Sequence, residues 1–120
     1  MSADYRVRFL GRVDGQALLK RMQPLLLPTS VGPEYDGSIE LTTLDGSRTF
    51  EHEGLGTTIT ISVDKQRDFI GQRQQVLTAL ERVMSTGDED FMVGYYDRPV
   101  VIRVKGVVER FSPPQSTRAA

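Results

Sequence analysis

The sequence predicts an α+β domain in which a mainly antiparallel β-sheet or sandwich carries one long packed helix, about residues 65–86, and one short N-terminal helix. Three observations lead there. Phe69, Ile70, Val76, Leu77, Leu80, Val83 and Met84 recur at helical spacing, whereas Gln72, Gln75, Thr78, Arg82 and Ser85 point elsewhere. Runs of β-forming residues with a period of two lie on both sides of that helix. At 120 residues the chain is long enough for one core and too short for two, so residues 1–112 read as a single domain, followed by a mobile tail over 113–120.

In chain order, Tyr5, Val7 and Phe9 alternate with Arg6 and Arg8, which is a strand with one buried face. Asp14 is placed to cap a short helix bearing Ala17, Leu18, Leu19 and Met22, and Pro24 must stop it. Residues 25–37 mix Leu25, Leu26 and Leu27 with prolines and glycines, as expected of an apolar arm that packs on a neighbour. Ile39, Leu41 and Thr43 begin a hairpin over residues 38–53 that turns at Asp45 and Gly46. Gly54 and Gly56 should break the chain before a strand over 57–63. Asp64 should cap the long helix, and Gly87 should close it in the left-handed conformation. Residues 91–96 and a long strand over 100–111 should form a last hairpin, with Gly106 as a bulge.

Composition narrows the function by exclusion. Fifteen basic and sixteen acidic residues give a net charge of -1, and their interleaving argues against a strong general nucleic-acid binder. The absence of cysteine removes disulfides, thiolate metal sites and a cysteine nucleophile. No apolar run has the length of a signal peptide or a membrane span, so the expected compartment is the cytosol. His52 is the only histidine, and alternation puts it on the face opposite Glu51 and Glu53, where it reads as a surface residue. Gly54, Gly56 and the Gly32-Pro33 pair match no phosphate-binding fingerprint, and Ser47, Ser62 and Ser85 lack a nucleophile's setting. No catalytic, cofactor-binding or metal residues are therefore assigned, and no enzyme is expected.

Contact surfaces offer more. Arg73 falls in the centre of the helix's apolar arc, where it must snorkel, pair with a carboxylate or reach a partner chain. Asp88, Glu89 and Asp90 follow a helix C-terminus whose dipole prefers cations, so a basic group is wanted there. The candidate subunit contacts are accordingly Leu25, Leu26, Leu27, Arg73, Asp88 and Asp90. Arg103 and Lys105 would join Arg6 and Arg8 in a basic strip if the first and last strands were neighbours, with Tyr95 and Tyr96 the only aromatics near in sequence.

The strand TTITISVD, the helix closing at STGDED, the short strand FMVGYY and the ending DRPVVIRVKGVVERF together resemble the N-terminal domain of phage distal tail and baseplate hub proteins, which share the tail-tube fold. The resemblance covers residues 57–111. It implies a virion structural protein, assembled in the host cytoplasm, that forms a homo-oligomeric ring and meets other tail or baseplate proteins, with no membrane partner and nucleic acid only as cargo in a lumen. The second expectation, from another class, is a small α+β module binding nucleic acid or a regulatory protein. Rings in solution would favour the first, and a salt-sensitive response to oligonucleotides the second.

Overall fold

The computed structural model describes residues 2–32, 34–43, 46–95 and 98–111, with the side chains of His52, Glu53 and several other strand residues outside that description. The tail at 113–120 and the turn residue Asp45 also lie outside it. The elements run β1 (Ser2–Phe9), α1 (Gly15–Met22), β2 (Thr29–Val31), β3 (Tyr35–Thr43), β4 (Gly46–Asp64), α2 (Phe69–Thr86), β5 (Phe91–Tyr95), β6 (Arg98–Val104) and β7 (Val107–Arg110). The fold is α+β. Its sheet has the order β2-β4-β1-β5-β6-β7, with β3 paired to β4 off that path, and every pairing between described strands is antiparallel.

Both helices lie on one face of the sheet. Alternation in β1 sends Tyr5, Val7 and Phe9 into the core, where Ile59, Ile61 and Val63 of β4 and Phe91 and Val93 of β5 meet them. Above these sit Leu18 and Met22 of α1 and Val76, Ala79, Leu80 and Val83 of α2. A smaller cluster, Met92 and Ile102, lies on the reverse face beneath Tyr35 and Phe50. The β3–β4 hairpin thus folds back over β5 and β6 on the side away from the helices, and Arg48 ties it to Glu109 of β7 through two bonds of 3.0 Å.

The first helix follows the sequence expectation: the Asp14 carboxylate accepts hydrogen bonds from the amides of Gln16 and Ala17. Several boundaries do not. Asp64 remains in β4, paired with Ser2, and its carboxylate accepts from Gln66 N in a separate turn, so α2 starts at Phe69 with Asp68 as its cap. Gly87 is extended (φ -167°) rather than left-handed. Ile70, expected in the core, is 80% exposed, and Ala79 takes a buried place instead.

Gly54 and Gly56 do not break the chain, because β4 runs through both as one strand of 19 residues. The pairing with β3 shifts between Asp36 and Ser38, which absorbs the irregularity within the ladder. Gly56 is instead a place of close approach. A Cβ there would lie 2.3 Å from Cζ of the Tyr35 ring, whose hydroxyl donates to the Phe9 carbonyl and pins the hairpin's base to β1.

The expected long strand over 100–111 is two strands. Lys105 and Gly106 both adopt positive φ (53° and 80°), which makes a reversal rather than a bulge. The Asp90 carboxylate holds that turn by accepting from Lys105 N at 2.8 Å and Gly106 N at 3.3 Å.

Candidate functional site

The predicted contact residues divide into those the chain uses internally and those it leaves outside. Leu25 is buried in the core and Leu27 packs against it; Leu26 alone of the three is free, at 85% exposure. The segment is not a loose arm. Thr29–Val31 adds to the open edge of β4, Gly15 of α1 touches Val31, and Leu26 N donates to the Gln75 side chain at 3.3 Å. A free strand edge within the same chain was the nearest partner for this stretch, which is why it closed inward.

Arg73 also turns inward. Burial raises the pKa of the Tyr5 phenol, and the Arg73 guanidinium beside it acts in the opposite direction. The Tyr5 hydroxyl, whose ring lies 4.6 Å from that of Tyr95 between centroids, has no hydrogen-bond partner in good geometry among the described residues. Arg73 is the cation facing a buried phenol, so part of its guanidinium's work is internal to the chain. Asp90 is occupied by the β6–β7 turn, whereas Asp88 is exposed.

The cations wanted at the end of α2 come from two distant elements, and neither was identified in the sequence. Arg21 of α1 donates to Val83 O at 2.8 Å and to Thr86 Oγ1 at 2.9 Å, and it grips both oxygens of Glu89 at 2.7 and 2.9 Å. Arg103 of β6, only 6% exposed, donates to the carbonyls of Met84, Gly87 and Glu89 at 3.0, 3.0 and 2.8 Å. The bonds to Val83 O and Met84 O satisfy carbonyls of the last turn that have no partner within the helix, and they explain how α2 ends without a left-handed glycine or a basic residue in its last turn. The hydrogen bond from Arg21 holds the Glu89 carboxyl below its ordinary value despite partial burial. The one available signal in the sequence was the acidic run after the helix.

Using Arg103 in this way breaks the expected basic strip. Its side chain lies on the helix side of the sheet, and β1 is separated from β6 by β5. What remains is a smaller feature on the reverse face of β1. Arg6 and Arg8 are exposed there, beside Thr60 and Thr58 of β4 and Gly94 and Met92 of β5 in the ladder. Neither arginine has an ion-pair partner among the described residues; Arg8 acts electrostatically on the Tyr35 phenol, whose pKa burial pushes up to about 12. On the same face Asp4 accepts a hydrogen bond from Ser62 Oγ at 3.0 Å.

No family model, curated protein or solved structure matches this chain. Its chemistry therefore rests on the residues alone. Among the described residues no three histidine, aspartate or glutamate side chains gather closely enough to hold a metal ion, and no helix is long and apolar enough to cross a membrane. The described surface carries an open arginine-bearing sheet face, a two-stranded hairpin, and isolated exposed apolar side chains at Leu26, Ile70 and Val107.

Proposed function

We propose that the protein is a structural subunit without catalytic turnover that assembles with copies of itself into a ring, of the kind that its resemblance to distal tail and baseplate proteins implies. The observation that carries this reading is the β3–β4 hairpin. Among the described residues, β3 pairs only with β4, and residues 46–56 of β4 pair only with β3, so both outer edges of the hairpin stay open. Open edges are sites for strand addition by another chain, and head-to-tail contacts close into rings when the rotation allows. Leu26 and Ile70, at 85% and 80% exposure, supply apolar surface for such contacts, and Asp88 a charge. Lack of cysteine and a single histidine support the absence of turnover. In this reading the other partners are tail or baseplate proteins of the virion.

Native mass spectrometry and particle imaging of the purified protein test the proposal. Closed oligomers of one stoichiometry are expected; a strict monomer, alone and with the products of neighbouring genes, would remove it. The runner-up, a monomeric module for nucleic acid or a regulatory protein, would rest on Arg6 and Arg8 alone, which have no ion-pair partner among the described residues, and a salt-sensitive oligonucleotide shift would promote it.

A further inference from the structure

Charge is unevenly divided along this nearly neutral chain. Residues 34–56, a stretch that includes β3 and the part of β4 paired with it, hold six carboxylates (Glu34, Asp36, Glu40, Asp45, Glu51 and Glu53) against the single Arg48, while the remainder holds fourteen basic and ten acidic residues. Arg48 is already committed to Glu109, and Phe50 faces the sheet, so the hairpin's inner side is fixed. Its outer side carries Glu40, Ser47, Thr49 and Glu51, all exposed.

We propose that this outer acidic face docks on the Arg6 and Arg8 face of β1 in a second copy of the chain. The inference rests on the assembly reading above and names the contact. Geometry supports it as well as charge. Arg6 and Arg8 are two residues apart on one strand, hence about 6.7 Å. Glu40 pairs with Thr49, so Glu51 is its diagonal neighbour on the same face, at about 7–8 Å. Two arginine–carboxylate pairs can therefore form together, each in the forked geometry that favours arginine. Within one chain the pairs cannot meet, because the hairpin leaves β1 at its Phe9 end and runs over β5 and β6 toward β7. Gly94 lies beside Arg6 in the ladder and adds no side chain to obstruct the approach. Two arginines are too few for a nucleic-acid path, where several phosphates are neutralised at once.

The contact joins different surfaces of the two copies, so charge reversal gives a test with internal rescue. Arg6→Glu/Arg8→Glu and Glu40→Lys/Glu51→Lys are compared with wild type by sedimentation and native mass spectrometry at low salt, with circular dichroism to confirm folding. Each double variant alone should associate at least about tenfold more weakly, since like charges then face each other. Mixing the two, or combining all four changes in one chain, should restore assembly. Wild-type oligomers indifferent to either double variant would overturn the proposed contact and leave the ring reading standing. Variants that fail to recover on mixing would also overturn it. A monomeric wild type removes both readings, and loss of oligonucleotide binding in Arg6→Glu/Arg8→Glu would then give this face to nucleic acid.

Discussion

Arg103 shows how one residue can be decisive without touching a ligand. Its guanidinium bonds the carbonyl of Met84 in the last turn of α2 and those of Gly87 and Glu89 just beyond it, and lies 5.5 Å from the centre of the Phe91 ring. Replacing it by leucine leaves those partly buried carbonyls without these donors, and we expect a loss of about 3 kcal/mol in urea unfolding. Lysine should rescue little, since one ammonium cannot span three acceptors spread over residues 84–89. Glu89 gives the residue scale its pH dependence. Its folded pKa is lowered by Arg21, so the pair contributes stability above the ordinary value near 4.5 and loses it as pH falls through the lowered folded value. Glu89→Gln should be less stable than wild type at neutral pH, and acid titration of the two unfolding curves should bring them together. The sequence showed half of this. The acidic run at Asp88 to Asp90 announced that a cation was wanted, but which arginines would arrive depends on pairings between strands and helices far apart in the chain.

At the scale of elements, periodicity was legible wherever one face is buried and one is wet. β1 and most of the core face of α2 follow directly from alternation or helical spacing, and Leu80 lies in the centre of that face at 1% exposure. Leu80→Ala should cost about 2–5 kcal/mol by urea unfolding, because the sheet beneath cannot collapse into the space. Glycine was the misleading signal. Gly56 reads as a break, yet it is strand backbone made bare for the Tyr35 ring, and nothing in the local pattern around Gly56 reveals that distant ring. Lys105 misled in the other direction, since a charged residue inside an alternating run gives no hint of positive φ until Asp90 is placed to bond the turn. The segment at 25–31 was misread because its apolar character is evident in the sequence, whereas the vacant edge of β4 that receives it is a property of the sheet order.

For the whole molecule, the sheet is covered on one side by both helices and on the other by its own hairpin only over β5 and β6. That uneven covering leaves the reverse face of β1 open, and with it Arg6 and Arg8. The sequence could place both arginines on the wet side of a strand. It could not say that the wet side would stay wet, because that depends on where the hairpin folds.

The two arginines at the end of α2 have one more consequence, for the order in which parts of the molecule can come undone. Arg21 arrives from the first helix and Arg103 from the sixth strand, so the last turn of α2 is a knot tying early, middle and late chain together. Helix ends ordinarily fray on their own, and their amides exchange with solvent at little free-energy cost. Here fraying requires release of both guanidinium groups, so amide hydrogen exchange in the last turn should be as slow as in the helix centre and should follow global unfolding in its denaturant dependence. Arg21→Ala, which leaves only Arg103 on Met84 O, should speed exchange in that turn while the amides of β1 and β5 keep their protection.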